Sequence, residues 1–521
     1  MDRRHFLQHA SASLLLPVFI DGFGAKAFGS PNSAFMQTLI QLATTTDRVL
    51  VMIQLNGGND GLNMVVPLDQ MSRYNALRSN IALPEAKVLK LANNAATGLH
   101  PAMTGLQSLY NEGKLSIVHS VSYPTPNFSH FRASDIWFTG ADANQVLSTG
   151  WTGRYLDAEW PGYPASYPTK DAPDPLAIQI GYITSTAFAG PGGPMAVAIP
   201  NPDTFAQLVG DKPSIDLAPP GNTPAGKHIS YIRQQQLSSV AYAAQIKTAA
   251  GKGKNFVTYP TGNSLADQLK IVSRLIHGGL QTRVYYVTIG GFDTHANQTD
   301  AADTTTGAHA TLMRQLSDAV KLFQDDLRIQ GTENRVAGMT FSEFGRRAIS
   351  NASRGTDHGI AAPLFVFGKG VKTSVIGKNP NLSDLDNNNV KMQTDFRQVY
   401  AALLSDWLGA GKPEVTSVLQ KAYDIAPIFK QVITATEPLA VGFHIVPNPA
   451  SDNVTLEGDA LMAGVSGVQV YDPAGRVVNV PTNRVSDRAL GMNVQALAAG
   501  TYVVTIQAGD QRLSARMLVA R

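Results

Sequence analysis

The stretch that decides the fold is residues 49–61, which read VLVMIQLNGGNDG. Six of its first seven residues are apolar, and the run ends at two glycines followed by Asn59 and Asp60. A run of this kind is typical of a strand buried on both faces of a parallel sheet. Ligands of such sheets bind just beyond the carboxyl ends of the strands, so Asp60 is a candidate site residue.

Other segments repeat this pattern along the chain. Strand-like apolar runs occupy residues 116–121, 284–289 and 336–341, and helix-like segments with apolar residues at three-to-four spacing occupy residues 264–277, 308–328 and 395–407. Alternating strands and helices predict an α/β fold with a mostly parallel sheet covered by helices on both faces. Residues 150–260 are rich in Gly, Pro and Ala without clear periodicity, and we interpret them as a large insertion or cap.

Composition limits the possible functions. With 521 residues the chain is long enough for two or more domains, and 44% apolar residues supply a globular core. A net charge of +3 without any Lys/Arg block argues against nucleic acid as a partner. Because the chain contains no cysteine, a metal ion would need oxygen and nitrogen ligands. No Gly-x-Gly-x-x-Gly follows a strand, which argues against a dinucleotide-dependent oxidoreductase.

The two ends of the chain differ from the middle. Residues 1–27 are predicted to be a twin-arginine-like signal peptide, with Arg3 and Arg4 before an apolar stretch and a small-x-small cleavage site at residues 25–27. A general secretory signal is the alternative. The mature chain then has no apolar run of the ~20 residues that a membrane span needs. Residues 435–441 form a linker, and residues 442–521 carry short alternating runs broken by turns, which predicts a small antiparallel β-sandwich.

The candidate metal ligands follow the strand-like runs. On an extended backbone residues i and i+2 point to the same side, so Asp293 and His295 can bind one ion, with Asn297 and Gln298 orienting them. Asp357 and His358 add a second acid and a second imidazole. Adjacent ligands point in different directions, which suits two ions ~3.5 to 4 Å apart. Asp60 is either a third carboxylate ligand or a turn residue.

Candidate catalytic residues lie near these ligands. Ser129 is either a nucleophile or the N-cap of a helix that starts at His130, and both roles are compatible at a helix N-terminus. Glu343 follows a strand, where a ligand is expected. Arg346 would clamp a tetrahedral anion through paired N–H donors, or it pairs with Glu343 in a structural ion pair.

Taken together, the motifs in residues 49 to about 410 resemble the exported family called domain of unknown function 1501. The motifs that carry the resemblance are LNGGNDGLN at 55–63, SHF at 129–131, TGWTGRY at 149–155, GFDTH at 291–295, FSEFGRR at 341–347, GTDHG at 355–359 and TDFR at 394–397. The family is similar to the alkaline phosphatase and sulfatase superfamily. That resemblance implies an alkaline phosphatase-like three-layer sandwich over residues 28–434, a two-metal site, Asp60 as a metal ligand and Ser129 as the nucleophile.

The resemblance leaves part of the ligand set open. Asp357 and His358 match the superfamily's Asp-His pair by sequence, whereas Glu343 and Phe344 occupy the strand-end position of that pair. The usual Asp-x-x-x-His spacing is replaced by Asp-x-His, with His309 as a distant supplement. The resemblance therefore leaves open whether one or two divalent ions (Zn, Mn, Mg or Ca) are bound.

The C-terminal segment resembles the sorting domain of the type nine secretion system, on the pattern VPNPA at 446–450, residues 468–475 and residues 497–503. This implies the secretion machinery as a partner, transit through the periplasm, and a final location at the cell surface or outside the cell.

The leading hypothesis is an exported metal-dependent hydrolase of phosphate or sulfate esters, in which Ser129 attacks and Arg346 or His130 stabilises charge. The alternative is a non-catalytic cell-surface binding or polysaccharide-handling protein with the same fold.

Overall fold

The structure is a computed structural model that describes residues 18–20, 23–25, 47–209, 221, 223–430, 443–458, 461, 465–472, 477–508 and 511–520. The twin-arginine motif at Arg3 and Arg4 and the linker 435–441 lie outside the described residues. The chain divides into two compact units, which contain the described residues 47–430 and those from 443 onward, respectively. Among the described residues, no helix has the length and apolar character that crossing a bilayer requires.

The strands before residue 430 number eighteen in the described part of the chain. They are β1 (Val18–Ile20), β2 (Phe23–Ala25), β3 (Val49–Leu55), β4 (Val65–Pro67), β5 (Leu89–Leu91), β6 (Asn94–Leu99), β7 (Leu115–Ser122), β8 (Ala177–Ile180), β9 (Ala189–Gly190), β10 (Gly193–Pro194), β11 (Ala196–Ile199), β12 (Val284–Ile289), β13 (Val336–Phe341), β14 (Gly345–Arg346), β15 (His358–Gly359), β16 (Ala362–Phe367), β17 (Ser374–Ile376) and β18 (Thr394–Asp395). The first two pair with each other.

Nine of these strands form the central sheet, in the order β11-β8-β12-β3-β13-β16-β7-β17, with β18 paired to β7. All neighbours in this sheet are parallel except at β16, which runs antiparallel to both β13 and β7. The sheet is thus mostly parallel, as predicted. The carboxyl ends of β3, β7, β12 and β13 lie at one edge, because these four strands run in the same direction.

The central strands are buried on both faces. Every residue of β3, β7 and β13 is buried, although successive side chains in a strand point to opposite faces. Both faces must therefore be covered, and the continuous apolar runs of the sequence satisfy this requirement. On one side Trp137 stacks on Phe341 and Phe396, with ring centroids 5.5 and 4.5 Å apart. The three-layer α/β arrangement follows from this burial.

Eleven α-helices occur among the described residues. They are α1 (Gly61–Met64), α2 (Met71–Leu77), α3 (Thr104–Asn111), α4 (His130–Thr139), α5 (Trp151–Glu159), α6 (Pro202–Val209), α7 (Pro224–Lys252), α8 (Ser264–His277), α9 (Ala308–Gln330), α10 (Phe396–Ala402) and α11 (Lys412–Leu419). Short 3₁₀ turns lie at Leu68–Gln70, Glu85–Lys87, Thr186–Phe188 and Glu333–Arg335, and a π-helical turn at Leu403–Trp407 continues α10. The helix predicted for 395–407 is therefore α-helical in its first half only.

Residues 150–260, predicted to be an insertion or cap, contribute both helices and strands. They contain α5, α6 and the 29-residue helix α7. They also supply strands β8 and β11 to one side of the central sheet, where β8 pairs with β12. These two strands have only four residues each, which is why periodicity did not reveal them.

The second unit contains two antiparallel sheets of four strands each, β19-β20-β24-β23 and β22-β21-β25-β26. The strands are β19 (His444–Val446), β20 (Asn453–Glu457), β21 (Val465–Tyr471), β22 (Val477–Val478), β23 (Thr482–Ser486), β24 (Ala489–Asn493), β25 (Gly500–Ala508) and β26 (Gln511–Val519). One apolar core joins side chains of both sheets, such as Leu456 and Met492 with Val504 and Met517. The predicted antiparallel C-terminal β region is confirmed.

A buried carboxylate anchors the segment that precedes α8. Asp326 of α9 is fully buried and accepts hydrogen bonds from the backbone N–H of Phe256 (2.7 Å) and the side chains of Asn255 (2.8 Å), Tyr259 (3.0 Å) and Ser273 (2.7 Å). All four donors are neutral. Dense hydrogen bonding rather than a counter-charge therefore stabilises this buried carboxylate.

We expect Asp326→Ala to lower the free energy of unfolding by about 3 kcal/mol or more, because each buried donor left without a partner costs roughly 1–3 kcal/mol. Urea denaturation of the full chain measures the change. Asp325→Ala is the matched control, since Asp325 is partly exposed and pairs with Lys321, an interaction worth up to about 1 kcal/mol. Equal losses in the two variants would contradict this role of Asp326.

Candidate metal centre

The candidate site lies at the carboxyl edge of the central sheet. The segments after β3, β12 and β13 carry Asp60, Asp293 and Glu343, and the segment after β7 leads to His130. The loop between β13 and β16 carries His358 in β15, which pairs with β14. Distant parts of the sequence therefore meet because their strands end at one edge of the sheet.

Two glycines allow the first of these loops to approach the others. Gly57 has φ +127°, and a Cβ there would lie 2.4 Å from the backbone nitrogen of Asp293. Gly58 has φ +77°, and its Cβ would lie 2.3 Å from the ring of Phe344. Larger residues cannot adopt this conformation in so little space, so the glycines are needed for the loops to pack directly on one another.

Three imidazoles and one carboxylate converge at this edge, and we call His130, Asp293, His295 and His358 the histidine cluster. The ligand atoms of His130, Asp293 and His358 lie within 4.8 Å of one another. Nε2 of His295 lies 2.9 Å from Nε2 of His358 and 3.0 Å from Oδ1 of Asp293. Oδ1 of Asp293 lies 3.2 Å from Nε2 of His358, and Oδ2 lies 3.5 Å from Nε2 of His130.

The outer nitrogen of each imidazole faces a hydrogen-bond acceptor. Nδ1 of His358 lies 2.9 Å from the carbonyl oxygen of Phe128. Nδ1 of His130 lies 2.8 Å from Oε1 of Glu343, and Nδ1 of His295 lies 3.3 Å from Oδ1 of Asp357. A carbonyl or carboxylate oxygen accepts, so in the tautomer that carries its proton on Nδ1 each ring donates outward and presents the lone pair of Nε2 to the cluster.

In that tautomer three imidazole lone pairs and a carboxylate oxygen face one another, an arrangement that a cation among them would stabilise. Imidazole ligands that donate their second N–H to a carboxylate or carbonyl are typical of protein metal sites. The four spacings of 2.9–3.5 Å given above are close to the roughly 3–3.5 Å that separates ligand atoms about 2.0–2.2 Å from a common zinc ion. The donor set therefore matches a divalent metal ion.

Arg346 joins the loops around Asp293. Its guanidinium donates to the carbonyl oxygens of Gly58 (2.6 Å), Thr356 (2.7 Å), Phe292 (3.3 Å) and Gly57, and also to Oδ1 of Asp293. The side chain is fully buried. These contacts engage all three guanidinium nitrogens, which favours a structural ion pair over an anion clamp. Its partner is Asp293 rather than Glu343.

The pKa of Asp293 is low despite partial burial. Burial by itself would raise it, but the hydrogen bond and charge of Arg346, with contributions from His358 and His295, lower the pKa to about 2. The pKa of Asp357 is also lowered, since burial is outweighed by hydrogen bonds from His295 and Asn351. Burial lowers the pKa of His358 below its ordinary value. A neutral His358 beside an ionised Asp293 is the combination of protonation states that binds a metal.

Asp60 has a different environment from the cluster. It is 1% exposed, and Nη1 of Arg78 lies 2.8 Å from Oδ2 and 3.1 Å from Oδ1. Gln298 donates to Oδ2 at 2.5 Å. Burial alone would raise the pKa of Asp60, but Arg78 and other neighbours lower it overall. The carboxylate is thus part of a buried ion pair.

Ser129 occupies the N-cap position of α4, directly before His130. The helix starts where the sequence predicted it, and the side chain of Ser129 is exposed and makes no capping hydrogen bond. Its hydroxyl is therefore not engaged in capping.

The sequence anticipated part of this site. Asp293, His295 and His358, predicted as ligands, are brought together. Glu343 and Asp357, also predicted as ligands, contact the outer nitrogens of His130 and His295. His130, predicted as a catalytic residue, is also a member of the cluster. Arg78 was missed, because nothing in the sequence distinguishes it from a surface arginine.

Comparisons with known proteins give two family matches. A family model described as "Protein of unknown function (DUF1501)" matches residues 242–411, which include the GFDTH and GTDHG motifs. A model described as "Secretion system C-terminal sorting domain" matches residues 444–520, which indicates export by that kind of secretion system. No curated protein sequence matches the chain.

Several solved structures are similar to the chain at low identity. A protein in the alkaline phosphatase superfamily from Vibrio parahaemolyticus is 10% identical, with 85% of this chain and 82% of that chain covered and a TM-score of 0.33. A sulfatase from Pseudoalteromonas sp. is 11% identical, with 81% of each chain covered and a TM-score of 0.33. A protein linked to glycosaminoglycan metabolism in Bacteroides thetaiotaomicron is 10% identical, with 83% and 88% covered and a TM-score of 0.34.

The buried histidine His309, near Asp60, should make the stability of the fold depend on pH. Burial lowers the pKa of His309 to about 4, and its Nε2 lies 3.1 Å from Oδ1 of Asn59. Between pH 6.5 and 4 the unfolded chain binds a proton that the folded chain does not, so stability falls as the pH drops through this range. The expected loss is up to about 1.4 kcal/mol per pH unit.

We therefore expect His309→Gln to flatten the loss of stability between pH 6.5 and 4, as measured by urea denaturation at several pH values. His277→Gln, at a partly exposed position on α8, serves as the control and should leave the decline unchanged. An unaltered decline in the His309 variant would show that other groups govern acid unfolding.

Proposed function

We propose that this chain is an exported hydrolase of phosphate or sulfate esters, which works with a divalent metal ion bound by the histidine cluster. The observation that carries the proposal is the convergence of His130, Asp293 and His358, whose ligand atoms lie within 4.8 Å of one another, with His295 beside His358 and each imidazole facing an acceptor at its outer nitrogen. The ester class comes from the motifs that resemble the alkaline phosphatase and sulfatase superfamily.

The donor set limits the metal. Imidazole nitrogens suit zinc, manganese or iron better than calcium or magnesium, which prefer oxygen ligands. Such an ion would polarise the ester group and lower the pKa of the attacking group. Within the chain, Glu343 and Asp357 keep His130 and His295 in one tautomer, and Arg346 keeps Asp293 ionised and in place.

Ser129 is the proposed nucleophile. Its hydroxyl is exposed, it stands at the N-terminus of the ten-residue helix α4, and its neighbour His130 belongs to the cluster. The free N–H groups of the first helical turn attract an anionic ester to this end of the helix. Phe128 and Phe131, which are 41% and 91% exposed, flank Ser129 and His130 and would contact an apolar part of the substrate.

The C-terminal unit has a separate role in this proposal. It would direct the chain through the secretion machinery, with the periplasm as a transit compartment and the cell surface or the medium as the destination. Catalysis would be confined to residues 47–430, which contain the cluster.

The metal can be tested on the purified full chain. We expect mass spectrometry to detect bound zinc, manganese or iron, and we expect His130→Ala and His358→Ala each to weaken its affinity at least 100-fold because each removes a ligand. His277→Ala is the matched control, since it removes an imidazole outside the cluster. Wild-type metal content in both cluster variants would rule out the proposed centre.

The nucleophile can be tested with nitrophenyl phosphate and nitrophenyl sulfate as substrates. Ser129→Ala should lower kcat by about 10³-fold or more while the metal content stays constant, because covalent catalysis is lost but the ligands remain. Ser108→Ala, on helix α3, is the control. Full activity of the Ser129 variant would exclude this nucleophile. If the metal-loaded wild type hydrolyses neither ester, the non-catalytic binding role becomes the better account.

A further inference from the structure

We infer that the site binds a single divalent ion, and that Asp60, with its partner Arg78, holds the ligand loops in position instead of binding a second ion. This inference rests on the proposed metal centre. It differs from the two-metal arrangement that the sequence resemblance implies, and it rests on contacts of Asp60, Arg78 and Gln298.

The carboxylate of Asp60 is already neutralised by the fold. Both of its oxygens lie within 3.1 Å of Nη1 of Arg78, and Gln298 donates to Oδ2. A metal ion would need to come within about 2.0–2.2 Å of an oxygen of this carboxylate. It would then lie beside the guanidinium, where no water screens the repulsion, since Arg78 and Asp60 are 0% and 1% exposed.

The guanidinium cannot easily move aside. Arg78 also donates from Nε to the carbonyl oxygen of Ala348 (3.0 Å), from Nη1 to Oδ1 of Asn63 (2.7 Å) and from Nη2 to the carbonyl oxygen of Arg347 (3.2 Å). Displacing it would leave the buried carbonyl oxygen of Ala348 without this donor, at a cost of roughly 1–3 kcal/mol. It would also remove one of the two donors to Oδ1 of Asn63, the other being the hydroxyl of Tyr74. The pair is therefore a fixed part of the structure.

His309, the distant supplement to the ligand set in the sequence, belongs to no group of three metal-ligating side chains among the described residues. Its Nε2 lies 3.1 Å from Oδ1 of Asn59. Within the described part of the chain, the only group of three or more acidic or imidazole side chains with the spacing of metal ligands is the one that contains Asp293.

Asp60 reaches the ligand loops through Gln298. This fully buried amide donates to Asp60, and its Oε1 accepts hydrogen bonds from Thr294 (2.9 Å) and Thr356 (3.0 Å). Thr294 stands between Asp293 and His295 in the sequence, and Thr356 precedes Asp357. Asp60 is thus a positioning residue, since it fixes the amide that ties two ligand-bearing loops together.

The test measures metal stoichiometry in the full chain, stripped of metal and titrated with zinc or cobalt. We expect one ion per chain in the wild type. Asp60→Asn should retain one ion with an affinity about 10–100-fold weaker and an altered cobalt absorption spectrum, because the ligand loops lose their anchor. Asp293→Asn should lose the ion. Asp326→Asn is the matched control, since it changes a buried carboxylate elsewhere and should leave affinity and spectrum unchanged.

The outcomes separate this inference from the proposed function. Two ions per chain, or the loss of one of two ions in Asp60→Asn, would overturn the single-ion inference even if the protein hydrolyses esters. One ion without hydrolysis of any phosphate or sulfate ester would sustain the inference and refute the proposed activity. No bound ion under any condition would refute both. An unchanged affinity and spectrum in Asp60→Asn would refute the positioning role.

Discussion

The guanidinium of Arg346 is the interaction on which the candidate site depends. It binds backbone carbonyl oxygens after β3, after β12 and in the loop before β15, and it also pairs with Asp293. One buried cation therefore does two things at once. It joins loops that come from distant parts of the sequence, and it keeps the central carboxylate ionised. Without Arg346, the sheet alone would neither hold these loops together nor keep the carboxylate of Asp293 ionised.

The carboxylates of the site have two different kinds of environment. Asp293 lies among the imidazoles and is half exposed. Asp60, Glu343 and Asp357 instead form hydrogen bonds with Gln298, His130 and His295, respectively. Negative charge is thus distributed around the cluster and not concentrated in it. Such a division lets the surrounding residues hold the outer nitrogens and the loops in position, while the inner nitrogens of the cluster face one another and Asp293.

Much of the fold could be predicted, because the strands of the central sheet are continuous apolar runs. The runs at 49–55, 284–289 and 336–341 coincide with β3, β12 and β13, and the end of each run showed where site residues would emerge. The four-residue strands β8 and β11 were too short to show a pattern. The role of Asp60 was also inaccessible, because it depends on Arg78, and an arginine's burial in a polar stretch has no signature in the sequence.

Among the described strands of the central sheet, β16 alone runs against the others, and this affects how the loop before it can change. Since β16 starts at the edge where β13 ends, the chain between them leaves and re-enters the sheet at a single rim, without a helical crossover. These twenty residues, 342–361, include Glu343, Arg346, Asp357 and His358. Insertions or deletions in this loop would change the residues of the site while the order of the strands stays the same. New specificities can therefore evolve there without any change in the sheet.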